Sequence, residues 1–285
     1  MAGLADIRDR VLRNAEPLAG ATLLDVGTGD GLIALEALER VGAGGRVIFS
    51  DVSPALLERC REVVRSHGRL DRAQFVTAAA EDLAAVPDES VDVATLRSVL
   101  IYVGDKPSAF ASLHRVLRPG GRVSMFEPIN RLMYPEPDGR FLGYDLSSVS
   151  ELVTRVKAAL AGMSDPAFRA AMMDFDDRDL ATLAEEAGFV RVHVECHIDI
   201  GPADDRAAVS LDALLGGAPN PNAPTLREAV DAALDEAERA RFLAVLARAF
   251  TERRAVDRHV VTYVSATKAV EPQRVGVIGL RSFAK

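Results

Sequence analysis

The chain has 285 residues but only two cysteines, Cys60 and Cys196. Two thiols supply neither a disulfide framework nor a cysteine-based zinc site, and they fit the reducing cytoplasm. No apolar run approaches the roughly 20 residues that a bilayer-spanning helix needs, so no membrane partner is expected. The opening stretch, MAGLADIRDRVLRNAEP, is charged and amphipathic and lacks the apolar core of a secretory signal. Lysine is scarce, with four residues (106, 157, 268 and 285) among 34 basic ones, against 42 acidic residues and a net charge of −8. That balance argues against extended contact with nucleic acid, though not against a local basic groove. There is no internal repeat. With 48% apolar and 27% charged residues, the composition excludes collagen-like, disordered and low-complexity chains.

What is present is an alternation of short apolar runs and amphipathic stretches. Ala21–Val26 reads as a strand that breaks into a glycine turn, and Leu32–Arg40 as the helix after it. Arg46–Ser50 is the next strand. Ser53 followed by Pro54 supplies an N-cap acceptor and a proline at the first helical position, starting a helix that ends near His67–Gly68. Gln74–Thr77 and Val91–Leu96 are further strands. Pro107–Leu117 is helical and stops at Pro119-Gly120-Gly121, before the strand Arg122–Phe126. Strands separated by such helices mean βαβ units and a parallel sheet. After Glu127 the pattern changes. Residues 128–173 hold several prolines and glycines and then a helical stretch; Asp176 or Asp177 caps a helix ending at Gly188, and Phe189–His197 is a strand. A second irregular stretch contains GGAPNPNAP at 216–224, followed by two capping boxes, Thr225 with Glu228 and Asp235 with Glu238. His259–Ala266 reads as the last strand, and the final two strands are expected to pair as antiparallel neighbours.

The segment that carries chemistry is Leu24-Asp25-Val26-Gly27-Thr28-Gly29-Asp30-Gly31. Glycines there let the backbone bend tightly and approach a ligand with no Cβ in the way. The following helix offers free N–H groups and the positive end of its dipole. A tight turn with no ligand is the alternative reading. The spacing G-x-G-x-G departs from the dinucleotide fingerprint G-x-G-x-x-G. Asp51, 20 residues beyond Gly31, ends the next strand, where an acid can accept both ribose hydroxyls of a nucleoside.

Five ordered segments then carry a resemblance: LLDVGTGDG at 23–31, SDVSP at 50–54, AAAEDL at 78–83, DESVDVATLRSVLIYV at 88–103 and HRVLRPGGRVSMFEP at 114–128. Residues 21–130 resemble a class I S-adenosylmethionine-dependent methyltransferase. The resemblance implies a Rossmann-like α/β fold, with a seven-stranded, mostly parallel sheet of order 3-2-1-4-5-7-6, strand 7 antiparallel, and helical lid insertions. The expected core is 21–130, 174–202 and 257–268, with lids at 128–173 and 203–256. The implied cofactor is S-adenosyl-L-methionine, with S-adenosyl-L-homocysteine as product. Asp25, Gly27, Thr28 and Gly29 would serve its methionine end, Asp51 its ribose and Val52 its adenine. Family members often place an Asp in the loop after strand 3; here that position is Ala79, so the Ala80 backbone with Glu81 or Asp82 is expected to take over. Leu96–Ser98, with Arg97 among them, would line the methyl-donor end. Family members usually carry a longer segment before the glycine turn than the 23 residues preceding Leu24, so one lid wall is expected either to be truncated or to come from an insertion.

Methyl transfer from a sulfonium is an in-line displacement, so alignment and water exclusion are the main requirements. A base is needed only for an acceptor that arrives protonated. Glu127 and Tyr102 are the candidate catalytic groups; Glu127 reads equally as a structural hydrogen-bond partner of the following loop. Arg97 reads as a grip on an acidic acceptor or as an exposed ion pair. Tyr134, Phe141 and Tyr144 are candidate substrate contacts, because three of the four tyrosines fall between 102 and 144; a lid packing its own small core is the alternative. His114 reads as a surface residue and Cys60 as lying on a surface helix. His193 and His197 alternate around Glu195 without a third metal ligand at sensible spacing, and His259 is a weak base candidate. No metal is expected. The insertions suggest a small organic or short-peptide acceptor, methylated at O, N or C, with specialised natural-product metabolism as the expected setting and a monomer or homodimer as the expected state. Position 96–102, LRSVLIY, lacks the Asn- or Asp-Pro-Pro-Tyr pattern of DNA amino-methyltransferases. The alternatives are a noncatalytic cofactor-binding partner subunit and, less well matched, an NAD(P)-dependent oxidoreductase.

Overall fold

Apolar runs too short for helices form five parallel strands: β1 (Thr22–Val26), β2 (Arg46–Asp51), β3 (Ala73–Thr77), β4 (Val91–Arg97) and β5 (Leu117–Pro128). Each crossover from β1 to β5 that carries a helix does so as an amphipathic segment: α2 (Leu32–Arg40), α3 (Pro54–Ser66) and α4 (Lys106–Val116), with α1 (Leu4–Asn14) preceding β1. The computed structural model describes residues 3–203, 210–218, 223–252 and 255–270. After β5 come the short helix α5 (Asn130–Met133), a hairpin of β6 (Arg140–Phe141) and β7 (Tyr144–Asp145), then α6 (Ser150–Met163), α7 (Pro166–Met173) and α8 (Asp177–Glu186). The chain continues through β8 (Phe189–Pro202), α9 (Leu211–Gly216), α10 (Leu226–Ala233), α11 (Glu236–Thr251) and β9 (Val256–Lys268).

The main sheet has seven strands in the order β3-β2-β1-β4-β5-β9-β8, with β9 antiparallel to both neighbours. β8 and β9 thus take the sixth and seventh places of the expected topology. Apolar clusters cover both faces. On one, Val11, Leu12, Ile33 and Leu57 from α1 to α3 pack on Leu23, Val47 and Phe49. On the other, Phe110, Leu113, Leu180 and Ala184 from α4 and α8 pack on Leu24, Ala94 and Met125. The expected caps form: Ser53 Oγ accepts from the Leu56 N–H, and Asp176, Thr225 and Asp235 each close a capping box. Among the described residues, no helix is long and apolar enough to cross a membrane.

The last two strands run longer than their sequence pattern suggests. β5 ends at Pro128 opposite Val261, whereas β9 begins at Val256, paired with Pro202 of β8. The additional residues find partners in each other and form a two-stranded arm past the carboxyl end of β5. That arm carries the helical insertions: the Ala203 N–H donates to Ala255 O and the Val256 N–H to Gly143 O. Phe141, Val149, Leu152, Val153 and Val156 from 128–173 share one apolar cluster with Leu226, Val230, Phe242 and Leu246 from 203–256. The two expected lids therefore pack into one helical cap. Residues 219–222 of the GGAPNPNAP stretch lie outside the described residues. α7 belongs elsewhere: it packs on the loop after β4.

Candidate functional site

The glycine turn follows β1 directly, and Gly27, Gly29 and Gly31 all have positive φ (63°, 56° and 84°). Two of them do different work. A Cβ on Gly27 would lie 2.5 Å from Val99 Cγ2, so this glycine lets the turn touch the loop after β4. A Cβ on Gly29 would meet only Gly27 O, at 4.0 Å, and would project into the cleft that Gly29 lines. Behind the turn, buried Asp25 accepts the hydroxyls of Thr28 at 2.8 Å and Thr95 at 2.7 Å. Burial pushes its carboxyl up to about 6. Asp25 and Thr28 thus brace the turn from inside and do not line the cleft. Cys60 is buried, not on a surface. Its Sγ donates to Gly29 O at 3.4 Å, and desolvation pushes the thiol up to about 11.

Asp51 ties the turn to the next strand. Its Oδ2 accepts from the Gly29 N–H and its Oδ1 from the Ser53 N–H, both at 2.9 Å. Each carboxylate oxygen has a second lone pair, so these bonds fix the side chain without exhausting it. Val52 beside it is 69% exposed at the cleft, an apolar surface for a flat ring. The loop after β3 turns tightly, with the Asp82 N–H donating to Ala79 O at 3.1 Å. Ala79, Ala80 and Glu81 line the cleft, whereas Asp82 is exposed and accepts from the Ala84 N–H at 3.0 Å. Of the two acids considered at this loop, Glu81 is the one the fold presents.

The opposite wall comes from β4 and its loop, where Arg97, Ser98, Val99, Tyr102 and Val103 face the same cleft. Tyr102 stacks on Phe168 of α7 with ring centres 5.3 Å apart. The loop is held from below by Glu127, whose Oε1 accepts from the N–H groups of Val99 at 2.9 Å and Leu100 at 3.0 Å. Glu127 is fully buried and does not line the cleft. Its Oε2 and the hydroxyl of Thr262, its cross-strand neighbour, are buried without a protein partner. Burial pushes the Glu127 carboxyl up to about 7. The expected catalytic role is corrected to a positioning one: loop N–H groups released at the end of β4 need an acceptor, and Glu127 supplies it.

Lys106 escaped the sequence reading. It is buried and donates to Val103 O at 2.8 Å, Ala171 O at 3.0 Å and Asp174 Oδ1 at 2.6 Å, pinning α7 to the loop after β4. Its scarcity as one of four lysines, directly before a proline at a helix start, was the available signal. Phe141 and Tyr144 require the opposite correction. They are buried in the cap, where Phe141 meets Phe242 at 6.3 Å and Tyr144 meets Phe250 at 6.0 Å, away from the cleft lining. Tyr134 is half-exposed and also outside the lining. His114 is not free on the surface; it packs edge-on against Phe189 at 5.1 Å. His193 and His197 flank Glu195, which pairs with Arg10, and among the described residues no group of side chains is arranged to hold a metal ion.

The cleft has a volume of about 510 Å³, within the roughly 300–1,000 Å³ of small-ligand sites. Two other depressions, near Asp145 and Arg248 in the cap (about 280 Å³) and near Gly120 and Lys268 at the far end of the sheet (about 640 Å³), do not reach the glycine turn. The cleft's features suit a nucleoside sulfonium: a Cβ-free approach at Gly29, a fixed acid at Asp51 and an apolar face at Val52. Comparison with known proteins agrees. The sequence profile of a methyltransferase domain matches residues 24–125. The ubiquinone/menaquinone biosynthesis C-methyltransferase UbiE of Idiomarina loihiensis is 32% identical over 178 residues, covering 61% of this chain and 68% of that protein. In fold, the chain is similar to the YcgJ protein of Bacillus subtilis, with TM-score 0.56, 16% identity and coverage of 92% and 97% of the two chains. It is also similar in fold to phosphoethanolamine N-methyltransferase 2 of Haemonchus contortus in complex with S-adenosyl-L-methionine (TM-score 0.52, 18% identity, 92% and 52% covered). With the sheet order, the turn geometry and these relatives together, the chain belongs to the class I S-adenosylmethionine-dependent methyltransferases.

Proposed function

We propose that the chain transfers a methyl group to a small organic acceptor bound against the cleft face of the loop after β4, beside the cofactor. The observation that carries this reading is a single cleft with two unlike walls. Gly29, Asp51, Val52, Ala80 and Glu81 form the side suited to the cofactor; Arg97, Val99, Tyr102 and Val103 form the other. S-adenosylmethionine supplies an activated methyl group on a positively charged sulfur. The protein's residues supply placement. Asp51 would hold the ribose, Val52 would pack on the adenine with Glu81 and the Ala80 backbone at its edge, and the glycine turn would take the methionine end. Among the described residues, no strong base faces the cleft on the acceptor side. Desolvation first, and then the Glu127 charge, raise the Tyr102 phenol above its ordinary range, so it stays protonated near neutral pH. Alignment and exclusion of water are then the means of catalysis. The relatives' name refers to carbon methylation in quinone biosynthesis, which supports carbon as an accepting atom and makes quinol-like compounds the first acceptors to assay.

Titration calorimetry with S-adenosylmethionine, S-adenosylhomocysteine and NADH tests the cofactor side. Binding of both methionine-derived ligands, none of NADH, and a loss of at least about 30-fold in Asp51→Ala are expected. Unchanged affinity in Asp51→Ala would remove Asp51 from the site.

A further inference from the structure

Among the described residues, Arg97 is the one cation in the cleft lining, and it is unusual among the arginines there. Every other partly buried arginine among the described residues has a hydrogen-bond or ion-pair partner: Arg40 with Glu36 and Asp9, Arg72 with backbone carbonyls of α2 and the turn after it, Arg115 with Asp88 and two carbonyls. Arg97 makes no hydrogen bond or ion pair within the described residues, the only partly buried arginine of which this is so; the carboxyl that feels its charge is Asp25, held behind the glycine turn by Thr28 and Thr95 and outside the cleft lining. A guanidinium offers five donors in a planar fork, and shielding it from water without an acceptor is costly. A charge kept in that state at a cleft wall is best explained by what the cleft binds.

The surroundings narrow the ligand. The acids of the cleft, Asp51 and Glu81, stand on the β2 and β3 side, across from Arg97. Beside Arg97 the wall carries one hydroxyl, Ser98, and is otherwise apolar or aromatic: Val99, Val103 and the Tyr102 ring backed by Phe168. The cofactor that defines this family brings its own positive sulfur to this end of the cleft. A second cation next to it is unfavourable unless an anion lies between or beside them. We propose that Arg97 binds an oxyanion on the acceptor, a carboxylate or a phosphate, carried on an apolar or aromatic body that lies on the Tyr102 wall. This rests on the methyltransferase reading and sharpens it, from a small organic acceptor to an anionic one. An anion gripped bidentately at one end would fix the direction in which the accepting atom meets the methyl group. It would also give the cleft a means of rejecting neutral isosteres, whose binding leaves the guanidinium desolvated and unpaired.

The test uses the full chain saturated with S-adenosylhomocysteine, titrated with benzoate, phenyl phosphate and the neutral isostere benzamide. Saturable binding of benzoate or phenyl phosphate is expected, at least about tenfold tighter than benzamide. Arg97→Gln should abolish the preference, and Arg97→Lys should restore part of it, because lysine keeps the charge but not the fork. Affinity for S-adenosylhomocysteine should stay within about threefold in both variants, which also shows that they fold. Which anion binds more tightly separates carboxylate from phosphate. Equal binding of benzamide and benzoate, or no saturable binding of either anion, overturns the proposal. So does an Arg97→Gln variant that loses affinity for S-adenosylhomocysteine while keeping the anion preference; Arg97 would then serve the cofactor's own carboxylate. Failure of the unaltered chain to bind S-adenosylhomocysteine at all would instead strike at the methyltransferase reading.

Discussion

The glycine turn and the helical cap are held together in different ways. At the turn the contacts are directional and few. Asp25 answers two threonine hydroxyls, Asp51 answers two backbone N–H groups, and Gly27 fits where no other residue has room. In the cap they are numerous and undirected, with Phe141, Leu152, Val156, Val230, Phe242 and Leu246 filling one volume between two insertions. A directional site tolerates little change in residue type, whereas an apolar core accepts many sequences of similar volume. A ligand common to a family suits the first kind of structure.

If the two regions are held independently, damage to the cap leaves the turn intact. Phe242 is fully buried at the centre of the cap cluster. Phe242→Ala should cost about 3–5 kcal/mol in the unfolding of the cap. Affinity for S-adenosylhomocysteine should stay within about threefold at temperatures where the sheet remains folded. Thermal unfolding followed by tryptic digestion should show early cleavage within 134–163 or 223–252. A loss of cofactor affinity in parallel with cap unfolding would mean that the two regions form one cooperative unit.

Within the turn, the two glycines divide strain from access. Gly27→Ala forces a Cβ against Val99 in a left-handed conformation, and about 2–4 kcal/mol of destabilisation is expected. Gly29→Ala meets no neighbour closer than 4.0 Å, so only the backbone cost of about 1–2 kcal/mol remains, while the methyl group enters the cleft. Gly29→Ala should therefore lose cofactor affinity out of proportion to stability. Val99→Ala in the Gly27→Ala background should recover part of the stability. Denaturant unfolding paired with calorimetry checks both, and equal destabilisation by the two alanines would contradict the assignment.

The same contrast governs what the amino-acid order reveals. G-x-G-x-G and the acid at 51 are visible because geometry demands particular residues at particular places. The partner of Asp25 was not visible: Thr95 lies 70 residues away and meets it only when β4 pairs with β1. Phe141 and Tyr144 follow the second of their two readings, a small core of the cap and not a pocket wall, because closeness in sequence to Tyr134 does not say which core an aromatic ring joins. The hairpin between them was hidden too. Its two central residues, Leu142 and Gly143, have φ of 52° and 80°, a primed turn ordinarily announced by Asn-Gly or Asp-Gly. Gly143 is explained by the arm, since a Cβ there would stand 2.5 Å from Val256 O. The merging of two insertions into one cap depends on contacts across some 80 residues, such as Arg155 to Glu238, that no local pattern records.

Glu127 belongs to the sheet and supports the cleft wall without lining the cleft. Its folded-state pKa, about 7, lies above the ordinary value of 4.5. The folded chain therefore binds this proton more tightly than the unfolded chain. The stabilisation is complete below about pH 4.5 and is lost as pH rises through about 7, amounting to about 2 kcal/mol between pH 5 and 7. Asp25, raised to about 6, contributes with the same sign at lower pH. Glu127→Gln keeps an acceptor for the Val99 and Leu100 N–H groups and removes the titration. Its stability should fall less steeply from pH 5 to 7 than that of the unaltered chain, leaving the Asp25 part. An unchanged slope would show that Glu127 does not titrate in this range.

The smallest effects separate two tyrosines that look alike in sequence. Tyr144 is buried in the cap and Tyr102 is half-exposed in the cleft, stacked on Phe168. Tyr144→Phe should cost at most about 1.5 kcal/mol of stability, the scale of one hydrogen bond, with S-adenosylhomocysteine affinity unaltered. Tyr102→Ala removes a stacking contact worth about 0.5–1.5 kcal/mol at the cleft wall proposed for the acceptor. Ligand affinity should weaken by about two- to tenfold, with little change in the unfolding of the cap. Reversal of the pair, with Tyr144→Phe moving affinity and Tyr102→Ala moving cap stability, would place the acceptor under the cap core and not against the loop after β4.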